Sequence, residues 1–443
     1  MNNLLILKNA KLINFSPASI SDQLDIVIEN NFISKIGKNI SAKYKSENIL
    51  DLSGKYVSPG LVCSHNHFYS VLARGILAKL KPANNFIEVL QNLWWKLDKA
   101  IDEEILYYSA MVGALEAIKS GTTSVIDHNS SPSFIKGSLN TLKKCFIEAG
   151  LRGILCYEIT DRNGEKKIRE SLSESIDFIS TIERDKSNNS DSLLETAVGA
   201  HAQFTLSDKS LSSISEIVNQ SGKGIHIHVC EDKSDLVHAK HSYKLTPVER
   251  LLNFNLLNDK SILAHGTYLT KKDIKIINQK NSFLVHNPRS NMNNGVGYLN
   301  YPGLVNNSAL GTDGIGSNML EEIKFACFKN NDSINKIPSD SFLHFMHNGN
   351  KILELYFNKK FGKLEPGYIA DLVIYDYLPP TPLLNNNLAG HFTFGISSSD
   401  VETVIINGNI VYENRQFPFD TYEIYRSARL AALKLWSRMD KQK

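Results

Sequence analysis

The chain has 443 residues, of which 42% are hydrophobic and 21% are charged, and its formal net charge is +3 at pH 7. This length exceeds one small domain and fits a large α/β barrel with an accessory domain. The 49 basic and 46 acidic residues nearly cancel, and no basic block occurs, so we expect neither a nucleic-acid partner nor a membrane-surface partner.

The first residues and the cysteines bear on the compartment. The N-terminal segment lacks the features of a signal peptide, and no apolar run approaches the roughly 20 residues of a membrane span. The five cysteines are scattered and form no C-x-x-C pair, which fits reduced thiols. We therefore expect a cytoplasmic protein.

Short strands are predicted at both ends of the chain. Near the N-terminus, "LLILKNAKLIN" and "DIVIENNFISKIG" combine β-branched residues in partial alternation with polar turns. The same pattern returns near the C-terminus in "ADLVIYDY" and "VETVIINGNIVYENRQF". We expect residues 1–57 and 361–443 to form one small β-sandwich domain.

Between these ends, over residues 58–360, strand-like and helix-like segments alternate. The strand-like runs are "YVSPGLVCSHNH", "TSVIDHN", "RGILCYEI", "ETAVGAHAQF", "GIHIHVCE", "SILAHGTYL", "SFLVHNPRSN" and "SALGTDG". Eight such units predict a (β/α)₈ TIM barrel, with a doubly wound open sheet as the rival. Polar residues at the same end of nearly every run favour the barrel, because barrel chemistry lies at the C-terminal strand ends.

Histidines and a carboxylate follow these strands. His65 and His67 end the first strand, and residues two apart in a strand point to the same face. His228 ends the fifth strand, and Asp313 ends the eighth. Three histidines and one carboxylate make a site for zinc or a similar divalent ion.

Structural interpretations compete with this site. His226 shares a face with His228 but lies deeper, which favours packing or support over ligation. Asp313 alone would equally fit the N-cap of the following helix. His265, at the end of the sixth strand, could be a core histidine.

Taken together, the motifs resemble the amidohydrolase superfamily, in its cytosine, guanine, S-adenosylhomocysteine and chlorotriazine deaminase-like branch. The motifs are "PGLVCSHNH", "IHIHVCE", "LAHG", "HNPRSN", "LGTDG" and the late "GKLEPGYIADLVIYD". More narrowly, "CSHNHFYS", "NLWWKLD", "EAIKSGTTSVIDH" and "LVHNPRSNMNNGVGY" resemble the SsnA group of aminohydrolases, a bacterial group associated with selenium metabolism. The resemblance implies a metal-dependent hydrolase with a β-sandwich and a barrel, and it supplies no substrate.

The resemblance also implies roles for individual residues. It implies one divalent metal ion, zinc before iron, held by His65, His67, His228 and Asp313. Asp313 would take a proton from a metal-activated water, and Glu231 would protonate a ring nitrogen. His265 would orient the hydroxide and stabilise charge on the tetrahedral intermediate.

A second metal is not expected. Binuclear relatives carry a bridging lysine or glutamate after the fourth or third strand, and the fourth strand here has no lysine. Glu158, after the third strand, is the remaining candidate bridge, and a structural or substrate-side role is favoured for it.

Further residues are candidate substrate contacts, namely His128, His201, His286, Arg289, Asn291 and Trp95. Arg289 could pair with an anionic or carbonyl-rich substrate, although a structural ion pair is the favoured interpretation. His128 could be a satisfied histidine at a strand end. Trp94 or Trp95 could stack on a flat ring or pack in the core.

The leading hypothesis is a metal-dependent aminohydrolase that cleaves a C–N bond of a nitrogen heterocycle, such as a purine. Ring opening of a cyclic amide is the alternative reaction. An inactive binding subunit is less favoured, because no implied ligand or proton shuttle is missing. By analogy with the family, we expect a homo-oligomer such as a dimer.

Overall fold

The computed structural model describes residues 4–44, 46, 48–299 and 303–442. The strands are β1 (Leu4–Phe15), β2 (Ala18–Glu29), β3 (Phe32–Gly37), β4 (Ile49–Asp51), β5 (Tyr56–Pro59), β6 (Leu61–Asn66), β7 (Thr122–Asn129), β8 (Arg152–Tyr157), β9 (Leu194–Thr196), β10 (Val198–Ala202), β11 (Ile225–Val229), β12 (Ile262–His265), β13 (Phe283–His286), β14 (Ser308–Leu310), β15 (Leu372–Tyr375), β16 (Val401–Ile406) and β17 (Asn409–Tyr412).

The helices lie mostly between the central strands. They are α1 (Phe86–Val89), α2 (Trp95–Ala100), α3 (Glu103–Lys119), α4 (Ser138–Ala149), α5 (Glu165–Asn188), α6 (Asp208–Ser221), α7 (Lys233–Tyr243), α8 (Pro247–Asn253), α9 (Lys271–Gln279), α10 (Pro288–Asn293), α11 (Met319–Asn331), α12 (Asp340–Phe357), α13 (Leu388–Phe394) and α14 (Tyr422–Asp440). A π-helical turn, Leu90–Trp94, joins α1 to α2. No helix among the described residues is long and apolar enough to cross a bilayer.

Strands from both ends of the chain form one sheet. Its order is β17-β16-β15-β5-β1-β2-β3, and β4 also pairs with β1. Alternate residues such as Leu5 and Leu7 of β1 pack with Ile26 of β2 and Leu372 of β15 in one apolar cluster. The predicted small β domain is therefore built from both termini.

The central strands are parallel and form a barrel. They make two sheets, β6-β7-β8-β9 and β10-β11-β12-β13-β14. Ile159 bridges to Ala200 where the sheets meet on one side, and Asn66 bridges to Asp313 on the other. Since β9 and β10 are two parts of one strand interrupted at Ala197, these bridges join eight strand positions into the predicted (β/α)₈ barrel.

Local signals fix the ends of the barrel helices. The side chain of Ser207 accepts a hydrogen bond from the backbone of Ser210 and caps α6, which ends at Gly222 with a φ of 64°. Thr246 and Glu249 form a capping box at the start of α8. Helices α6 and α8 precede strands β11 and β12, so their ends help to position the C-terminal residues of those strands at the rim.

The C-terminal helix α14 packs on the barrel. Trp436 Nε1 donates to the carbonyl of Leu72 at 3.0 Å, and Arg438 pairs with Asp102 at 2.9 Å. Residues that follow the small β domain in sequence therefore rest against the segment after the first barrel strand. The predicted boundaries at residues 57/58 and 360/361 stay a prediction.

Candidate metal centre

The candidate metal centre lies where the barrel strands end. His65 and His67 stand at the end of β6, His228 lies in β11, and Asp313 follows β14. The histidines are buried, and the side chain of Asp313 is 13% exposed. The backbone of Asp313 has a φ of 53°, in the left-handed region that non-glycine residues rarely adopt. Such strained residues are common at functional sites, where the surrounding structure holds them.

Donor atoms of these residues converge. His67 Nε2 lies 3.0 Å from Asp313 Oδ1 and 3.1 Å from His228 Nε2. His65 Nε2 lies 3.5 Å from the same carboxylate oxygen. Zinc–nitrogen bonds of about 2 Å place the donors of one tetrahedral site about 3.3 Å apart. The three observed separations are near this value, and His65, His228, Asp313 and also His265 offer ligand atoms that all lie within 4.8 Å of one another.

Hydrogen bonds at the far ring nitrogens orient two of the histidines. His67 Nδ1 donates to the carbonyl of His128 at 2.6 Å, and His228 Nδ1 donates to the carbonyl of His201 at 2.8 Å. A carbonyl oxygen only accepts, so Nδ1 carries the proton in each neutral ring. Nε2 then offers its lone pair to the centre, as in metal-binding histidines.

Further observations concern the ring nitrogens of His65 and the charge of His67. His65 Nδ1 lies 2.8 Å from His226 Nε2, so His226 stands behind a proposed ligand. His65 Nε2 is buried and has no hydrogen-bond partner among the described residues. Burial opposes charge on His67, but the hydrogen bond to Asp313 and its charge raise the pKa of His67 to about 9. Without a metal ion His67 is therefore paired as a cation with Asp313, and a metal bound at Nε2 would displace that proton.

Glu231 lies beside the candidate metal centre, and its raised pKa suits a proton donor. Its Oε2 is 3.8 Å from His265 Nε2. Burial and then the charge of Asp313 raise the pKa of Glu231 well above its ordinary value. This shift favours the protonated form of Glu231, which could donate a proton to a bound ring.

His265 is held in one tautomer. Its Nδ1 lies 2.8 Å from Asn291 Oδ1, and Asn291 Nδ2 donates to Thr267 Oγ1 at 3.4 Å. Asn291 Oδ1 accepts, so Nδ1 carries the proton, and burial lowers the pKa of His265. In this neutral ring Nε2 carries a lone pair and could orient the hydroxide, and the predicted stabilisation of charge on the intermediate stays a prediction. That role requires the ring to gain a proton first.

Asp313 is oriented from behind by a hydroxyl. Ser290 Oγ donates to Asp313 Oδ2, and Asn294 Nδ2 donates to Ser290 Oγ at 3.3 Å. This leaves Asp313 Oδ1 facing the histidines. Sequence analysis did not single out Ser290 or Asn294, although "HNPRSNMNN" already placed polar residues after the seventh strand.

A cavity opens beside the metal centre. Its apolar wall is formed by Phe86, Leu90, Trp94 and Trp95, from the segment that includes α1 and α2. His201 lines it as predicted, and burial lowers the pKa of His201 to about 3, so the ring is neutral. Flat aromatic walls with a few polar groups are typical of sites for heterocyclic ligands.

Four of the six predicted substrate contacts do not line this cavity. His128 lies behind the metal centre, and its Nε2 is within 3.2 Å of the carbonyls of Ala200 and His226. His286 is fully buried and packs on Tyr298.

Arg289 and Asn291 have structural partners instead. Arg289 is bound by Glu321, Glu322 and the carbonyl of Gly316, so the ion-pair interpretation describes it. Asn291 acts on His265, as described above. The structure supports a positioning role for Asn291 and no substrate contact for Arg289.

Three charged residues in the cavity wall were missed or left undecided by sequence analysis, namely Asp98, Glu158 and Arg162. Arg162 Nη2 donates to Glu158 Oε1 at 2.5 Å, and Arg162 Nη1 lies 3.4 Å from Asp98 Oδ2. Glu158, His201 and His228 also offer ligand atoms within 4.8 Å of one another. Asp98 and Arg162 lie 64 residues apart in the chain, and no sequence signal joins them.

Comparisons with known proteins agree with this geometry. The model of the amidohydrolase family matches residues 56–411. A 5-methylthioadenosine/S-adenosylhomocysteine deaminase of Thermococcus sibiricus is 33% identical over 92% of this chain and 93% of its own length. A 5'-deoxyadenosine deaminase of Methanococcus aeolicus is 32% identical over 97% of this chain and 100% of its own length.

Solved structures share the fold. An adenosine deaminase of Xanthomonas campestris with bound zinc superposes with a TM-score of 0.83 at 21% identity, covering 98% of both chains. Atrazine chlorohydrolase of Arthrobacter aurescens, complexed with zinc, gives a TM-score of 0.82 at 18% identity, covering 97% of this chain and 100% of that one. From the family match and the relatives above 30% identity, the chain belongs to the amidohydrolase family.

Proposed function

We propose that the protein is a zinc-dependent aminohydrolase that replaces the exocyclic amino group of an adenine nucleoside with a hydroxyl. The observation that carries this proposal is the convergence of His65, His67, His228 and Asp313, with Glu231 beside them and its pKa raised by burial. The relatives above 30% identity are named for deamination of adenosines altered at the 5′ position. The aromatic wall of the cavity suits a purine ring.

A bound zinc ion supplies Lewis-acid chemistry, which lowers the pKa of water to about 7 and provides a nucleophile at neutral pH. His65, His67, His228 and Asp313 would hold the ion. We favour one ion, although the carboxylate of Glu158 is close to His201 and His228.

The chain's own residues would move the protons. Asp313 or Nε2 of His265 would accept a proton from the nucleophile, and the contacts of Asp313 with Ser290 and of His265 with Asn291 support these roles. Glu231 would give its proton to the ring nitrogen next to the carbon under attack. Trp94 and Trp95 would cover the ring and limit the entry of bulk water.

The test is a substrate panel with two readouts. Zinc-loaded protein is incubated with 5′-methylthioadenosine, 5′-deoxyadenosine, adenosine, guanine, cytosine and a hydantoin, and ammonia release and product mass are measured. We expect ammonia and the hydroxypurine product from the adenosines. Ring-opened products without ammonia would instead support the cyclic-amide hydrolase, and no reaction across the panel would remove the proposal.

A further inference from the structure

The charged wall of the cavity is built around one arginine. Each guanidinium nitrogen of Arg162 has a protein partner: Nη2 contacts Glu158 at 2.5 Å, Nη1 contacts Asp98 at 3.4 Å, and Nε donates to Thr160 Oγ1 at 3.1 Å. The guanidinium carbon also lies 4.8 Å from the centroid of the Trp95 ring. These contacts hold Arg162 in place and use three of its five N–H donors.

Among the described lysine and arginine side chains, none that lines the cavity lacks a carboxylate partner. Among the described residues that line the cavity, Arg162 is the one lysine or arginine, whereas four carboxyl groups line it, those of Asp98, Glu158, Glu231 and Asp313. Asp98 and Glu158 are 2% and 3% exposed. Asp98 Oδ1 is buried and has no hydrogen-bond partner in the part of the chain that the structure describes.

An outside anion that paired with Arg162 would have to lie among buried carboxyl groups. The contacts with Glu158, Asp98 and Thr160 use three of the five N–H donors of Arg162, so an anion could reach only the remaining donors. At those positions it would lie beside the buried carboxylate of Glu158 and near Asp98, and like charges in contact are rejected. A neutral or cationic group does not meet this repulsion.

We propose that Asp98, Arg162 and Glu158 together form a wall that excludes anionic groups, so that the substrates carry no carboxylate or phosphate. This inference rests on the proposed adenosine deamination and narrows it to adenosines with uncharged or cationic 5′-substituents. Between the two activities in the name of the Thermococcus sibiricus relative, it favours 5′-methylthioadenosine over S-adenosylhomocysteine, whose tail ends in a carboxylate.

The test compares two adenosines that differ in charge alone. One carries a 5′-thioalkyl carboxylate and the other carries the matching carboxamide, and kcat/KM is measured for both with zinc-loaded wild-type protein, with 5′-methylthioadenosine as the reference. We expect the carboxylate to be used at least about tenfold less well than the carboxamide. A difference of less than about threefold would overturn the inference.

A variant assigns the effect to this wall. Glu158→Gln removes one carboxylate from Arg162. It should raise the ratio of kcat/KM for the carboxylate probe to kcat/KM for the carboxamide probe by about tenfold. The matched control is Glu321→Gln, which removes a carboxylate from Arg289 outside the cavity and should leave the ratio unchanged. An unchanged ratio in a folded, active Glu158→Gln would overturn the inference, and the wild-type comparison decides it where that variant is inactive.

The outcomes also separate this inference from the proposed function. Deamination of 5′-methylthioadenosine, with both longer probes rejected, means selection by size, and the charge inference fails alone. No deamination of any adenosine removes the proposed function and this inference with it.

Discussion

At the scale of single residues, the site depends on side chains that are fixed before any ligand arrives. Backbone carbonyls fix His67 and His228, Asn291 fixes His265, and Ser290 fixes Asp313. Orientation of this kind lets a metal site and its proton carriers act without rearrangement.

Glu231→Gln tests the proton donor. The amide keeps the size of the side chain but carries no transferable acidic proton, so we expect kcat to fall by about 10²- to 10⁴-fold. Zinc content, measured by elemental analysis, should stay the same, since Glu231 is not a proposed ligand. A variant with wild-type kcat would show that Glu231 is not the donor.

His67→Ala tests the metal ligands. The loss of one of four donors should lower zinc affinity by at least about 10-fold, and bound zinc after dialysis is the measurement. The control is His241→Ala, an exposed histidine at the end of α7. Equal zinc retention by both variants would exclude His67 as a ligand.

Asn291→Ala tests the positioning of His265. Without the amide oxygen, the imidazole loses the partner that fixes its tautomer, and we expect kcat to fall by about tenfold or more. KM should change little, because Asn291 does not line the cavity. A change confined to KM would point to substrate contact instead, as the sequence first indicated.

The sequence predicted residues at strand ends better than residues whose partners come from elsewhere. Strand periodicity placed His65 and His67 on one face, and the structure brings His228 and Asp313 to them. For Arg289 the sequence favoured an ion pair but did not identify its partners, and Arg162 was not singled out, because Asp98 lies 64 residues away from it. Which arginine reaches the cavity is decided by packing.

At the scale of elements, the junction of β14 with β6 carries two of the proposed ligands. The backbone amides of Thr312 and Asp313 both donate to the carbonyl of His65 at 3.0 Å. Gly311 makes this approach possible, since a Cβ there would lie 2.6 Å from Asn287 Oδ1 and 2.8 Å from His65 N. The order of the strands therefore sets the distance between His65 and Asp313.

Gly311→Ala should force this junction apart. We expect a loss of about 1–3 kcal/mol in the free energy of unfolding, with weaker zinc binding, because the methyl group overpacks a buried contact. Denaturant unfolding and zinc titration measure both effects. Gly390→Ala, where a Cβ meets nothing within 4 Å, is the control and should be neutral or slightly stabilising.

Elements were predicted where their signals are local. Helix α6, Asp208–Ser221, begins after the cap Ser207 and ends at Gly222, and both signals can be seen in the sequence. The π-helical turn Leu90–Trp94 was not expected, because its bulge depends on how the aromatic side chains pack over the cavity.

At the scale of the whole molecule, the barrel brings proposed ligands from three strand ends to one rim, from His65 near its start to Asp313 near its end. The alternating rhythm of the sequence predicted this architecture, since eight strand–helix units close in few ways. The position of α14 on the barrel was not predictable, because an amphipathic helix shows that it packs but not against what.

Zinc should stabilise the folded chain as a whole, because its proposed ligands come from distant segments. Free zinc at about 1,000 times its Kd would add about 4 kcal/mol, and chelation should lower Tm accordingly. Calorimetry of wild-type protein and His67→Ala, each with and without chelator, is the measurement. A Tm in wild-type protein that does not respond to chelation would argue against a site shared between segments.

The most direct test of the central claim is ammonia release from 5′-methylthioadenosine by the same protein sample before zinc removal, after it, and after zinc is restored. The account predicts turnover with zinc, loss of turnover on removal, and recovery when zinc is returned. Turnover that persists in fully metal-free protein, or zinc-loaded protein that releases no ammonia, would contradict it.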